Sequence, residues 1–259
     1  MRSHTPKFRA KLAETDDELQ AAQRLRYRVF VEELGGDGVL VNHDAGLEAD
    51  RFDPFFDHLV LFDDALDDVP QNRAVGVYRL LREDQADQAG QFYSEDEYDL
   101  SALRSSGRKL LELGRSCVDK RYRGGSAMFH LWQGLAQYID DHAIEVLFGV
   151  ASFHGTDPSA LAQPLSLLHN NHLAPEALRT KAQPEHFQSM DLIDPDQLDR
   201  RAAMVQVPSL IKAYLRLGGF VGEGAYVDRA FNTTDVCLIM DTARLSAAHK
   251  SIYSKGVTS

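Results

Sequence analysis

The sequence has little cysteine and no long apolar run. Two of its 259 residues are cysteines, Cys117 and Cys237, and they lie far apart in the chain. This argues against a disulfide framework and against a cysteine-rich metal site. Both lie in apolar, strand-like stretches, so we expect buried, reduced thiols. No apolar segment approaches the roughly 18–20 residues of a membrane-spanning helix, and the N-terminal segment lacks the apolar stretch of a secretory signal. We therefore predict a cytoplasmic protein.

Positive charge is also scarce. The formal net charge of −11 argues against general nucleic-acid binding. The basic residues that are present cluster in "RLRYR", "RSSGRK" and "DKRYR", close to predicted breaks in the secondary structure. A hydrophobic content of 44% over 259 residues suffices for one sizeable core. We predict a single domain over residues 1–259.

Hydrophobic periodicity predicts a mixed α/β chain. The segment "TDDELQAAQRLRYRVFVEELGG" has helical spacing, a Thr15–Glu18 capping box and a stop at Gly35. Residues 58–81 are typical of a hairpin. The strand "KLLELGRSCV", a helix over 126–142 and the strand "EVLFGVAS" form a crossover, which indicates that these two strands are parallel.

Residues 154–207 differ from the rest of the chain. They carry five of the nine prolines among short helical patterns. This composition indicates a helical, irregular insertion, which either covers a binding site or is a plain surface excursion. The insertion precedes a helix that ends at Gly218 and a final apolar strand. The tail over 242–254 is weakly amphipathic.

The stretch "DKRYRGGSAMF" places a basic, glycine-containing turn between a strand and a helix. The first N–H groups of a helix have no partner inside the helix, and the helix dipole favours negative charge there. Glycine lets a ligand approach the backbone. The spacing is neither that of a Walker loop nor G-x-G-x-x-G. It predicts an anion-binding loop, with an ordinary basic glycine turn as the alternative.

The spacing Arg121-x-x-Gly124-x-Ser126 resembles the pyrophosphate loop of the GNAT N-acyltransferases, whose pattern is Q/R-x-x-G-x-G/A. Ser126 stands where that family has glycine or alanine. The resemblance implies a GNAT-like α/β fold, in which helices flank a central, mixed, twisted sheet. The segment 154–207 would then be a helical insertion into that fold.

A second series resembles the acyl-homoserine lactone synthases, GNAT-like enzymes that take acyl chains from acyl carrier protein. Those enzymes combine an Arg/Phe helix, an Asp-x-x-Asp loop, a strand arginine and a Glu-x-x-Arg strand. The corresponding residues here are Arg26, Phe30, Asp50, Asp53, Arg79, Glu112 and Arg115. The chain lacks that family's tryptophan after the first helix, where Gly36 lies.

Longer segments resemble the bacterial ornithine N-acyltransferases of ornithine-lipid synthesis. They include "ELGRSCVDKRYRGG", "FGVASFHGTDP" and "LIKAYLRLGGFVGEGAYVDRAFNTTDV". The resemblance covers nearly the whole chain. It implies that a 3-hydroxyacyl chain moves from acyl carrier protein to the α-amine of ornithine, which gives lyso-ornithine lipid. The residues themselves do not choose among ornithine, lysine and glutamine.

The implied chemistry assigns roles along the predicted strand. An amine attacks a thioester only when neutral, so a base or a water relay is required, and Glu112 is the candidate base. The alternative is a structural ion pair of Glu112 with Arg79 or Arg115. A backbone N–H of Cys117 or Val118 would stabilise the oxyanion. Cys117 as a nucleophile is disfavoured, because little in the sequence would lower its pKa.

The same resemblance assigns the binding residues. Arg26, Phe30, Asp50, Asp53 and Arg79 would contact substrate. Asp50 and Asp53 would hold the cationic amino acid, or else cap backbone N–H groups. The phosphate of the 4′-phosphopantetheine arm would be held by Arg121, Arg123 and the amides of Gly124, Gly125 and Ser126. We expect neither a metal nor a tightly bound cofactor.

Partners follow from the same resemblance. Acyl carrier protein is acidic and would meet surface bases, for which the candidates are Arg24, Arg28, Arg108 and Lys109. Leucines of the insertion would cover the acyl chain. The apolar side of residues 242–254 would touch the inner membrane surface, since the product is a lipid. Two rival hypotheses stay open: a lactone synthase using S-adenosylmethionine, and a non-catalytic module that binds acyl carrier protein through the basic loop without needing Glu112.

Overall fold

The computed structural model describes residues 4–38, 40–66, 69–229 and 231–244. They divide into two units of similar size. The first unit comprises residues 4–89 and 113–143 of the described chain, and the second comprises residues 90–112 and those from 144 onward. The prediction of a single domain concerns the chain as a whole and stays a prediction.

Strands and α-helices alternate along the chain up to residue 172, and the structure has the mixed α/β character that the periodicity predicts. The strands are β1 (Phe8–Leu12), β2 (Asp57–Asp63), β3 (Ala74–Arg82), β4 (Tyr98–Asp99), β5 (Leu110–Val118), β6 (Val146–His154), β7 (Lys181–Ala182), β8 (Phe187–Gln188), β9 (Phe220–Val221), β10 (Ala225–Asp228) and β11 (Thr233–Asp241). The helices are α1 (Asp16–Arg26), α2 (Pro70–Arg73), α3 (Glu83–Ala89), α4 (Ser101–Ser105), α5 (Ala127–His142), α6 (Ala162–His172), α7 (Arg200–Gln206) and α8 (Ser209–Arg216).

In the first unit, β1, β2 and β3 form an antiparallel sheet, which confirms the predicted hairpin. The register places His58 opposite Arg79. Helix α5 packs on β1, β2 and β3. Gly134 permits the close approach, because a Cβ there would lie 3.1 Å from both Ala10 and Leu59. The same sheet also packs against α1, so it is covered by helices.

The first helix departs from the prediction in type. The Thr15 hydroxyl accepts from the Glu18 N–H at 3.3 Å, as a capping residue does. The Glu18 carboxylate, however, accepts from the N–H of Glu14, so the reciprocal half of the capping box is displaced by one residue. The chain continues after Arg26 as a π-helix over Tyr27–Glu33. π-helical turns occur frequently at functional sites, where the extra residue per turn re-aims side chains.

Strand β5 contributes to both units, since residues 110–112 belong to the second and residues 113–118 to the first. Its parallel pairing with β6 runs over Leu110–Glu112 and confirms the predicted crossover. Arg115 interrupts the regular pleat with φ +48°. This is the left-handed region. A non-glycine residue there costs about 1–3 kcal/mol and persists only because its surroundings hold it in place.

The sheet of the second unit is mixed. Strands β6 and β11 are antiparallel from Val146↔Asp241 to His154↔Thr233, and β10 and β8 extend the sheet beyond β11. Helix α8 packs on β11, and α6 packs on β9. The chain then turns at Gly218, whose φ of +91° confirms its role as a helix stop.

The insertion over 154–207 contains α6 and α7 and is therefore partly helical, as predicted. It also supplies β7 and β8, which pair with β4 and β10 and are not indicated by its sequence pattern. Three leucines expected to cover an acyl chain are buried: Leu165, Leu167 and Leu168. Leu161 and Leu173 are half-buried.

Residues 245–254 of the predicted amphipathic tail lie outside the described residues, and Thr242–Arg244 form a short 3₁₀ turn. None of the helices in the described ranges is long and apolar enough to cross a membrane.

Candidate active site

Three arginines and three acids of the first unit form what we call the arginine–carboxylate cluster: Arg26, Arg79, Arg115, Glu48, Asp50 and Asp53. Arg26, at the end of α1, is fully buried. Its Nε donates to the Glu48 carboxylate, and its Nη2 donates to the two oxygens of Asp53 at 2.8 and 2.9 Å. A buried guanidinium is stable only when paired in this way.

Arg79 reaches the same acids from β3 and is also fully buried. Its Nη1 donates to Asp50 and to Asp53, at 2.7 Å in each case. The guanidinium carbon lies 4.3 Å from the centre of the Phe56 ring, within cation–π range. Asp53 therefore bridges the arginine of the helix and the arginine of the strand.

Arg115 completes the cluster from β5. Its Nε donates to Glu48 at 3.0 Å, and its Nη2 lies 3.6 Å from Asp50. The guanidinium carbon lies 5.8 Å from the Phe30 ring centre. The left-handed backbone at Arg115 thus coincides with contacts to both the loop and the first helix. The structure brings together the six predicted site residues Arg26, Phe30, Asp50, Asp53, Arg79 and Arg115.

The charges in this cluster are balanced locally. Burial alone would raise the pKa of Asp53, but the Coulomb attraction of Arg26 and Arg79 is stronger in sum and holds that pKa well below its usual range. Burial likewise opposes the charge of Arg26, yet Asp53 and Glu48 raise its pKa. Asp50 and Asp53 are therefore occupied by arginines. Asp50 also accepts from the Phe52 N–H at 2.9 Å, as the capping alternative expects, and the role of the two acids toward a cationic amino acid stays a prediction.

Sequence reasoning missed Glu48 and His58. Glu48 is buried and joins Arg26 to Arg115. His58 is buried at the start of β2, where its Nε2 lies 3.1 Å from the carbonyl oxygen of Asp53 and its Nδ1 lies 3.5 Å from Nη1 of Arg26. Burial lowers the pKa of His58 to about 4, so the ring is neutral. The available signal was the density of acids in "GLEADRFDPFFDH", which looks like a solvated loop.

Glu112, the predicted base, lies at the end of the β5 segment in the second unit and is 1% exposed. Its carboxylate accepts from the N–H groups of Tyr93 and Ser94, each at 2.7 Å, and from the Ser94 hydroxyl. The 3₁₀ turn Tyr93–Asp96 supplies these donors and fixes the carboxylate. An orienting shell of this kind is what a positioned base needs, and the role itself stays a prediction.

Strand β5 ends with Cys117 and Val118, whose backbone N–H groups are the two predicted oxyanion donors. The side chain of Cys117 is a free, buried thiol, as is that of Cys237, which confirms the prediction of reduced thiols. Burial raises the pKa of Cys117 to about 12, so its thiol is protonated and a poor nucleophile at neutral pH. The carbonyl of Val118 accepts from Nε of Arg123 at 2.8 Å, which ties the strand end to the following loop.

The predicted anion loop has the expected strand–turn–helix form. Asp119 caps a 3₁₀ turn over Lys120–Tyr122 and pairs with the Arg121 side chain at 2.9 Å. Arg123 donates to both carboxylate oxygens of Glu33. Gly124 has a φ of +77°, which favours glycine. Gly125 and Ser126 lead into α5, whose N-cap Ser126 makes no side-chain capping bond.

The expected carrier-binding residues are placed in both units. Arg24 donates to the carbonyl of Ala45, and Arg28 lies 3.8 Å from Asp119. Arg108 pairs with Asp241 at 2.7 Å in the second unit. These contacts orient the bases at the protein surface, and their role toward a carrier stays a prediction.

Comparison with known proteins agrees with this arrangement. A model of the acetyltransferase (GNAT) domain matches residues 25–133, which include all the predicted site residues. Among solved structures, the AHL synthase LasI superposes with a TM-score of 0.51 at 15% identity, covering 98% of both chains. The CoA-dependent acyl-homoserine lactone synthase BjaI superposes with the same TM-score at 16% identity, covering 96% of this chain and 90% of that one. The predicted GNAT-like fold is confirmed.

Curated relatives decide the family. The L-ornithine N(alpha)-acyltransferase of Rhodobacter capsulatus is 59% identical over 250 residues, covering 96% of each chain. The chain belongs to the L-ornithine N(alpha)-acyltransferase family. The enzyme of that name from Brucella abortus is 44% identical and is covered over 87% of its length, with 94% of this chain. As a member of this family, the protein is an acyltransferase that transfers its acyl group to nitrogen.

Proposed function

We propose that the protein moves a 3-hydroxyacyl chain from acyl carrier protein to the α-amine of L-ornithine, giving lyso-ornithine lipid. The observation that carries the proposal is the near-full-length similarity to relatives named L-ornithine N(alpha)-acyltransferase. The arginine–carboxylate cluster and the strand–loop–helix segment after β5 support it. Apart from Glu48, the residues of both are ones that the sequence resemblance assigns to the site.

In the proposed reaction, the neutral amine attacks the thioester carbonyl directly. Glu112 removes the proton from the α-ammonium, directly or through a water. The N–C bond forms first. The tetrahedral intermediate then collapses and the C–S bond breaks, while the second proton of the amine nitrogen passes to the leaving thiolate. A backbone N–H of Cys117 or Val118 would donate to the oxyanion of the tetrahedral intermediate. The protonated thiol of Cys117 agrees with direct transfer, without an acyl-enzyme intermediate.

We assign the loop after β5 to the 4′-phosphopantetheine arm of the carrier. Arg121, Arg123 and the amides of Gly124, Gly125 and Ser126 would hold its phosphate at the N-terminus of α5. The bidentate fork of arginine suits a phosphate. Arg121 is now paired with Asp119 and Arg123 with Glu33, and each arginine would leave its carboxylate to bind the phosphate. The reaction as proposed needs neither a metal nor a tightly bound cofactor.

We further propose that the enzyme acts in the cytoplasm, at the inner face of the membrane that receives its product. The acidic carrier would dock on Arg24, Arg28, Arg108 and Lys109. Steering of this kind makes association depend on ionic strength. A fall in carrier affinity as salt rises would support it, and salt-independent affinity would contradict it.

The direct test is an assay with purified protein, 3-hydroxyacyl carrier protein and single amino acids, read by mass spectrometry of the lipid extract. Acyl-ornithine as the product establishes donor, acceptor and reaction together. A diffusible lactone, formed when S-adenosylmethionine is supplied, would replace the proposal by a lactone synthase. Carrier binding without any product would replace it by a binding module.

Glu112→Gln tests the base. Removal of a general base typically lowers kcat by about 10²–10⁴-fold. Carrier affinity, measured by titration calorimetry, should be unchanged. Glu176→Gln is the matched control, because Glu176 is an exposed acid of the same unit and is assigned no role in carrier docking. Full activity of the Glu112→Gln variant would show that the base assignment is wrong.

A further inference from the structure

An acid, Asp235, lies within the apolar strand β11 of the second unit and is 4% exposed, whereas the other acid of this strand, Asp241, is its last residue. The Thr233 hydroxyl donates to its Oδ2 at 3.2 Å. Its Oδ1 has no hydrogen-bond donor among the residues that the structure describes. A buried carboxylate oxygen without a donor is costly, which calls for an explanation other than stability.

The surroundings of Asp235 contain hydroxyls and a second acid. Burial raises the pKa of Asp235 to about 6, against the weaker effects of Ser152 and Thr233. The neighbouring charge of Asp228, on β10, is also negative and raises the pKa further. The carboxylate thus lies in an environment that a cation would stabilise.

The sheet register surrounds Asp235 with groups suited to an ammonium ion. Ser152 of β6 lies directly opposite on one side, and Tyr226 of β10 lies directly opposite on the other. Side chains of directly opposite residues share a face of the sheet. A carboxylate, a hydroxyl and an aromatic ring are the groups that recognise alkylammonium ions. Ser152 is exposed, so this face can be reached from solvent.

The other carboxylates considered for a cationic substrate are already neutralised. Asp53 is bonded to Arg26 and Arg79, and Asp50 is bonded to Arg79. Resting on the function proposed above, we propose that Asp235 binds the side-chain ammonium of a dibasic amino-acid acceptor, with Thr233, Ser152 and Tyr226 around it. Asp235 is then the residue that selects ornithine over amino acids without a terminal amine.

This placement also specifies how Glu112 acts. Glu112 lies opposite Phe148 on β6, and Asp235 lies opposite Ser152 on the same strand. Four residues of a strand span about 13 Å, and both acids share a face, on opposite sides of β6. Two strand spacings separate the acids across the sheet as well, so an acceptor bound at Asp235 would not contact Glu112 directly, and proton transfer between them would need a chain of waters.

Asp235→Asn tests the proposal with two acceptors, ornithine and norvaline. Norvaline has the same carbon skeleton but lacks the terminal amine. Loss of a charge-assisted hydrogen bond should raise the KM for ornithine about 10- to 100-fold while kcat changes little. The kcat/KM for norvaline should stay within about threefold, so the preference for ornithine disappears. Asp196→Asn is the matched control and should retain it, because Asp196 is an exposed acid of the same unit and lies outside this group of residues.

Binding without turnover separates this proposal from the proposed function. Ornithine should raise the melting temperature of the wild type and of Asp196→Asn, but not that of Asp235→Asn. If the wild type acylates no amino acid, the function fails while this readout still tests the site. An unchanged ornithine preference in a folded Asp235→Asn variant would overturn the proposal. So would a selective loss of activity with 3-hydroxyacyl over plain acyl donors, which would assign Asp235 to the acyl hydroxyl.

Discussion

The arginine–carboxylate cluster and Asp235 are two buried polar sites with opposite electrostatics. Asp53 lies among guanidinium groups, and its pKa is held well below the usual range. Asp235 lies among hydroxyls beside another acid, and burial raises its pKa to about 6. The same side chain, buried to nearly the same extent, is thus stabilised as a charge in one site and destabilised in the other.

This difference indicates that the arginine–carboxylate cluster has a structural role, which we call the framework role, whereas Asp235 is suited to binding a ligand. Each carboxylate of the arginine–carboxylate cluster is bonded to at least one arginine. A network in which every carboxylate is paired with an arginine orients its members and has little capacity left for a further cation. Among the described residues none donates to Oδ1 of Asp235, which is therefore the better candidate to receive a cation. The following substitutions test this difference between the two sites.

The largest effect is expected from Arg26→Met. The change leaves Glu48 and Asp53 buried without their shared partner, so the free energy of unfolding should fall by about 3–5 kcal/mol. Arg9→Met is the matched control. It removes the ion pair of Arg9 with Asp64 at the surface, where the Arg9 side chain is 49% exposed. Its expected cost is below about 1 kcal/mol. Urea titration measures both, and equal losses would contradict the framework role.

His58 should make the cluster sensitive to acid. Burial lowers the pKa of His58 from 6.5 to about 4, so the unfolded chain takes up a proton before the folded one does. Stability from this group is present above about pH 6.5 and is lost as pH falls toward 4, by up to about 3 kcal/mol. His58→Gln should flatten the stability profile in this window. Parallel profiles of the two proteins would exclude the effect.

Asp235→Asn should change stability in the opposite direction. Because the folded-state pKa is raised from 3.8 to about 6, the ionised acid destabilises the fold at neutral pH. The variant should therefore be more stable by about 1–3 kcal/mol at pH 7, with the difference vanishing as pH falls from about 6 to 4. Thermal unfolding of the ligand-free proteins checks this. Destabilisation at pH 7 would indicate a structural role instead.

The smallest effect is expected from Cys117→Ser. The backbone N–H that is proposed to act there is retained, and the thiol pKa of about 12 makes a nucleophilic role unfavourable. Activity should stay within about threefold of the wild type, as it should for Cys237→Ser, whose thiol pKa is also about 12. A loss of a hundredfold in Cys117→Ser alone would revive the acyl-enzyme alternative.

Local patterns explain why much of the fold could be predicted. The hairpin of β2 and β3 and the crossover from β5 through α5 to β6 follow from periodicity and turn residues within short windows. The π-helical continuation of α1 could not be predicted in this way, because residues 27–33 retain a pattern compatible with an α-helix. Strands β7 and β8 are two residues long and depend on partners distant in sequence.

The site was predictable where the resemblance covers it and not where partners are distant. Arg26 and Arg79 matched a known series, but Glu48 and His58 join them through contacts 22 and 32 residues away from Arg26. Contacts between residues this far apart leave no pattern within a short window of sequence. The acid-rich loop that contains Glu48 therefore has the composition of a solvated loop. Asp235 had a signal, because it is a charged residue followed by the apolar run of β11, but the meaning of that signal depends on the neighbours that the sheet provides.

The left-handed backbone at Arg115 has a consequence for protein engineering. Glycine would relax the chain there but would remove the guanidinium, whereas lysine would keep the charge but lose the planar fork. The backbone conformation therefore favours glycine at this position, whereas the side-chain contacts favour arginine. Replacing Glu48 would remove one of the contacts that hold Arg115 and would leave Asp50 and the Phe30 ring, so the restraint on the left-handed backbone would weaken. An acid far away in the sequence thus contributes to the backbone conformation of the strand that carries Cys117 and Val118.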